Sequence, residues 1–92
     1  VTVVMASKGY PGSYEKGSVI RAIDAAETVP DCNVFHAGTA LAENGDLIAV
    51  GGRVLAVTAL GDDAESARRN AYDGVAKIDW QGGFYRSDIA KI

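Results

Sequence analysis

Short apolar runs separated by glycine-containing turns fill the stretch from Asn33 to Leu60, NVFHAGTALAENGDLIAVGGRVLAVTAL, which reads as three β-strands in a row. Asn44-Gly45 is a strong hairpin signal, because both residues accept the positive φ of a type I′ turn. Gly51-Gly52 is a second. With two-residue turns at both places, Ala42 faces Leu47, Thr39 faces Val50, Val50 faces Arg53 and Ala49 faces Val54. The expected product is an antiparallel meander. In its third strand Arg53, Leu55, Val57 and Ala59 share one face, and Val54, Ala56, Thr58 and Leu60 the other. A strand apolar on both faces is a central one covered twice, by a helix on one side and by more chain or another domain on the other.

Elsewhere the pattern changes period. Val1 to Ala6 is β-branched and strand-like, and the loop SKGYPGS follows, with Tyr10 and Tyr14 packing it down. Val19, Ile20, Ile23 and Ala26 fit one face of about two helical turns ended by Pro30. The clearest helix opens at Gly61-Asp62, with Asp62 as cap and Glu65 reaching back to it. Ala64, Ala67, Ala71, Val75 and Ile78 form its apolar stripe, while Glu65, Arg68, Arg69, Asp73 and Lys77 face water. Gly74 inside that stripe predicts a close approach to a strand. In the tail, Gly82-Gly83 is a turn, Trp80, Phe84 and Tyr85 cover one end of the core, and Arg86 pairs with Asp88. The expected class is α+β: a small antiparallel sheet, the meander, covered by one main amphipathic helix.

Composition narrows the function classes. Ninety-two residues make one domain, residues 1–92, with room for a modest core and none for a deep enclosed site. Nine basic against 12 acidic side chains, with no run of like charge, argue against a nucleic-acid partner. Apolar runs are too short to cross a bilayer, so no membrane is expected. Cys32 is the sole cysteine, which fits a reducing cytoplasm and excludes an internal disulfide. A chain that starts at Val1 suggests a processed chain, a cloned fragment or a piece of something longer.

One corner carries candidate chemistry. The meander register collects Gly51, Gly52, Arg53, Thr39 and His36 at one end of the sheet. A fixed positive charge, a hydroxyl, an imidazole and open backbone suit a phosphate or carboxylate. Turn chemistry with a solvated Arg53 accounts for the same residues, and a lone histidine is more often structural. No P-loop, G-x-S-x-G, H-E-x-x-H or G-x-G-x-x-G spacing occurs, so no catalytic residue and no metal site is assigned.

Three long motifs lead further. VVMASKGYPGSYEKG, then VFHAGTAL with GGRVLAVTALG, then GGFYRSDI together resemble the C-terminal domain of phosphoribosylamine–glycine ligase (glycinamide ribonucleotide synthetase), a member of the ATP-grasp ligases. The resemblance spans nearly the whole chain. It implies a part of the enzyme that joins glycine to 5-phosphoribosylamine with ATP in purine biosynthesis, through a glycyl phosphate. ATP and Mg²⁺ would be bound by the ATP-grasp portion, which this chain lacks, so no cofactor is expected here and the piece alone is expected to be inactive. Its partners would be the rest of the same enzyme, phosphoribosylamine and glycine. By the same resemblance Arg53, with Gly51 and Gly52, would help hold the substrate phosphate, His36 and Thr39 would support it, and Lys8 to Tyr10 would line the junction with the missing part. Two alternatives stay open: a non-catalytic interaction module, or the C-terminal domain of another ATP-grasp ligase.

Overall fold

The computed structural model describes residues 1–14 and 16–89. Its elements are β1 (Thr2–Ser7), α1 (Ile23–Ala26), β2 (Cys32–His36), β3 (Thr39–Leu41), β4 (Leu47–Ala49), β5 (Arg53–Ala59), α2 (Ala64–Lys77) and β6 (Gly83–Tyr85). The α+β class holds, with α2 as the single main helix.

The connectivity departs from a meander. β5 is central in a four-stranded sheet ordered β2-β5-β1-β6, all antiparallel, while β3 and β4 pair with each other in a separate ribbon. The stretch 33–60 therefore contributes four strands to two sheets. In the ribbon Thr39 faces Ala49 and Leu41 faces Leu47, one residue away from the expected register. The reason lies in the loop: the Ala42 N–H donates to Asp46 O and the Gly45 N–H to Ala42 O, so the connection spans 42–46 and is not a two-residue turn. Gly51-Gly52 does not fold β5 back onto β4; it carries the chain from the ribbon into the larger sheet.

The free edge of β4 is taken by residues 17–20. Ile20 N–H donates to Leu47 O at 2.9 Å and Ala49 N–H to Ser18 O at 2.9 Å. This pairing holds the expected two-turn helix at 18–27 extended through its first half. Ala22 then takes a left-handed conformation (φ 64°), and α1 is a single turn.

α2 lies on one face of the sheet. Its N-cap is Asp63, one residue later than expected, whose carboxylate accepts the Ser66 N–H at 2.7 Å. Ala67, Ala71, Gly74 and Val75 are buried, whereas Ala64, expected in the stripe, is exposed. The close approach at Gly74 is real: a Cβ there would stand 2.6 Å from Cys32 Sγ and 3.1 Å from Val57 Cγ1. On the sheet face beneath the helix, Val3, Leu55, Val57 and Ala59 are fully buried. Arg68 does not belong to the solvated face; it donates to Ile89 O and Ser87 O and lies over the Tyr72 ring, holding down the chain's last described segment. Trp80 is buried and donates to Ser18 Oγ at 2.8 Å, but Phe84 and Tyr85 are exposed on the edge strand β6 and do not cap the core. The Arg86–Asp88 pair is formed at 2.7 Å.

Candidate functional site

The register of β5 on β1 slips by one residue at its start. Met5 faces Leu55 and Ala6 faces Arg53, which leaves Val54 without a counterpart on β1. Val54 and Leu55 are both fully buried, so two successive side chains turn to the core. Simple alternation would put Arg53 on the buried side with Leu55. The slip instead brings it to the opposite face of the sheet, beside Val4 and Ala56.

The spare backbone of Val54 is used from the other side. Its carbonyl accepts the N–H groups of Ala37 (2.9 Å) and Gly38 (3.1 Å), which docks the loop between β2 and β3 against Arg53. That docking needs glycine at 38, since a Cβ would lie 2.5 Å from Arg53 O. On the far side Ser7 is buried and clasps the same turn, its N–H donating to Gly52 O at 2.7 Å and its Oγ to Gly51 O at 2.9 Å. The Tyr10 ring lies flush on Gly52, with ring carbon 2.2 Å from where a Cβ would be.

Together these contacts shape an open groove of about 470 Å³ lined by Val4, Tyr10, Ala37, Gly52, Arg53 and Ala56, with Leu55 beneath. That volume is in the range of small-molecule sites. Arg53 is exposed, and its guanidinium has no ion pair or hydrogen bond among the described residues. Of the sequence-expected residues, Gly52 and Arg53 line the groove. His36, Thr39 and Gly51 stand next to it: His36 Nδ1 and Thr39 Oγ1 bond each other at 2.9 Å, and Gly51 serves as acceptor for Ser7. Ala37, Val4 and Ala56 were not anticipated, and Tyr10 was expected at the junction with missing chain but not beside Arg53. Lys8 is exposed and lies outside the groove.

Other reactive groups are set apart. Burial, and secondarily the charge of Glu27, pushes the Cys32 thiol up, which keeps it protonated and unreactive. Among the described residues no three His, Cys, Asp or Glu side chains cluster to hold a metal ion, and no helix is long and apolar enough to cross a membrane.

Residues 1–92 match the family described as phosphoribosylglycinamide synthetase, C domain. The chain belongs to that family. Its relatives include the chloroplastic phosphoribosylamine–glycine ligase of Arabidopsis thaliana, 59% identical over 97% of this chain and 17% of that protein. The phosphoribosylamine–glycine ligase of Pseudomonas syringae pv. tomato is 52% identical over 95% of this chain and 20% of its own length. Among solved structures, the phosphoribosylamine–glycine ligase of Thermotoga maritima superposes with a TM-score of 0.78 at 38% identity, over 95% of this chain and 20% of that one. The family's C domain as seen here thus spans about a fifth of the length of these relatives.

Proposed function

We propose that this chain is the C-terminal domain of a phosphoribosylamine–glycine ligase and contributes a wall of its active site. The supporting observation is the 59% identity to a protein of that name along almost the full chain, which also favours this reading over another ATP-grasp ligase or a freestanding module. In the reaction a glycine carboxylate oxygen attacks the γ-phosphorus of ATP and ADP leaves. The amine of 5-phosphoribosylamine then attacks the acyl carbon of glycyl phosphate, loses a proton and expels phosphate. The reaction needs ATP and Mg²⁺, and the described residues bring no carboxylate cluster together for the metal. Those groups belong to the preceding ATP-grasp portion, and this domain alone is inactive. We place the enzyme in the cytoplasm, where a free Cys32 thiol is stable.

The task left to this chain is to hold substrate. Arg53 stands on the rim of the groove with its guanidinium unengaged by the described residues, and a planar fork of donors suits a phosphate bidentately. Gly52 keeps the backbone low beside it. His36 and Thr39, already bonded to each other, stiffen the loop whose Ala37 forms the facing wall. In the full-length enzyme, Arg53→Ala is expected to raise the KM for phosphoribosylamine by one charge-assisted contact, about 1.5 to 3 kcal/mol, roughly ten- to a hundredfold, with kcat little changed. Initial rates of ADP release at varied phosphoribosylamine measure this. Unchanged KM and turnover would remove Arg53 from the site.

A further inference from the structure

Among the described residues the one buried polar side chain is that of Ser7, 2% exposed. Alanine would fill the same place, so the hydroxyl needs a reason of its own: a buried hydroxyl is costly unless it is hydrogen-bonded. Its bond goes to Gly51 O at 2.9 Å, and the Ser7 N–H donates to Gly52 O at 2.7 Å. The second bond belongs to the pairing of β1 with β5 around Ala6 and Arg53, whereas the first lies outside it. One residue of an interior strand thus holds both carbonyls of the two-glycine step that carries Arg53.

That step is glycine because of close packing, and loose for the same reason. The Tyr10 ring occupies the place of a Gly52 Cβ, and a Cβ on Gly38 would stand 3.1 Å from Gly51 Cα. Two successive glycines let the peptide between them rotate with little steric opposition. Its direction matters, because the C=O and N–H of a trans peptide point opposite ways. With the Gly51 C=O on the Ser7 hydroxyl, the Gly52 N–H faces away from Ser7, and it has no hydrogen-bond partner among the described residues. Gly52 lines the Arg53 groove and its own carbonyl is taken by Ser7, so the polar group it has left for a ligand is that N–H. Turned over, the same peptide would offer a carbonyl oxygen, which repels an anion.

We propose that Ser7 is a positioning residue for the Arg53 groove: its hydroxyl locks the Gly51–Gly52 peptide with the N–H outward, so that a phosphate ester meets the Gly52 N–H and the Arg53 guanidinium together. A backbone N–H and a guanidinium from adjacent residues supply donors to neighbouring phosphate oxygens, and both are set before the ligand arrives. Ser7 itself touches no ligand; it acts through the backbone it holds. The role rests on the reading of the groove as the seat of the substrate phosphate, and the two can fail separately.

The experiment compares full-length Ser7→Ala enzyme with wild type by initial rates of ADP release, varying phosphoribosylamine and then ATP. The KM for phosphoribosylamine is expected to rise about fivefold, the worth of one neutral hydrogen bond, with kcat and the KM for ATP unmoved. A serine that serves only the fold gives another result: all three constants change together with the urea midpoint, or none does, and either outcome overturns the proposal. A second measurement reads the amide directly. In full-length protein labelled with ¹⁵N-glycine, ribose 5-phosphate is expected to shift the Gly52 amide resonance in wild type and to leave it unmoved in Ser7→Ala. A Gly52 resonance that stays put in wild type, or moves equally in the variant, overturns the proposal. Wild-type protein that releases no ADP in response to glycine and phosphoribosylamine sinks the ligase reading; a Gly52 shift present in wild type and lost in the variant then leaves the role of Ser7 standing.

Discussion

The helix-covered and open faces of the sheet are built from the same strands but held by different forces. On the covered face Val3, Leu55, Val57 and Ala59 reach zero exposure under a helix that approaches closely at Gly74. Removing any of them costs burial and leaves a void. On the open face Val4, Phe35 and Ala56 stabilise the isolated domain little, because water still reaches them. Their chemistry makes sense only in relation to something else. One side of this small domain therefore specifies its fold, and the other contributes little to it.

Substitutions on the two faces should separate accordingly. Leu55→Ala removes a fully buried side chain and is expected to destabilise the 92-residue chain by about 2 to 5 kcal/mol in urea unfolding. Phe35→Ala, although it deletes a larger side chain, should stay within about 0.5 kcal/mol in the same assay. Comparable losses would mean the open face is part of the core after all.

Gly74→Ala sharpens the contrast from the helix side. Alanine gains about 1 kcal/mol in helix propensity, but its Cβ would press on Cys32 Sγ and Val57 Cγ1, both of them buried. Overpacking of about 1 to 3 kcal/mol opposes that gain, so a net loss of roughly 1 kcal/mol is expected from the unfolding midpoint. A stabilised variant would show that the helix can lift from the sheet at no cost.

The smallest effect concerns pH. The Ser66 N–H, and next the Ser66 hydroxyl, hold the Asp63 carboxyl below the usual aspartate range. Its folded-state pKa is depressed, so its contribution is present above the ordinary aspartate value and is lost as pH falls through the lower folded one. Asp63→Asn should flatten the acid limb of the stability curve in that window, and thermal melts between neutral and strongly acidic pH would detect it.

Local signals were read well from sequence and non-local ones were not. β1 and β5 are apolar, β-branched runs of six or more residues, α2 carries a helical period, and Gly74 marks its close packing. The extended stretch before α1 and the three residues of β6 are paired with partners distant in the chain, Val19 with Ile48, Arg21 with Asp79 and Phe84 with Ala6. Asn44-Gly45 indicated a hairpin, but which strand lies beside β5 depends on contacts with β1 some 50 residues away, which no turn reports. The convergence of Arg53, Gly52 and the His36–Thr39 loop was expected from a register that does not exist. It occurs because the loop's amides dock on the Val54 carbonyl. The slip that turns Arg53 outward needs both strands in view, and so does the contact of Tyr10 with Gly52.

On the proposed function, Arg53 serves the substrate and not the fold. The most direct test measures the KM for phosphoribosylamine and the urea unfolding midpoint side by side in full-length Arg53→Ala enzyme. The expected result is a KM raised roughly ten- to a hundredfold at an unchanged midpoint. An unchanged KM, or a rise matched by a falling midpoint, would contradict it.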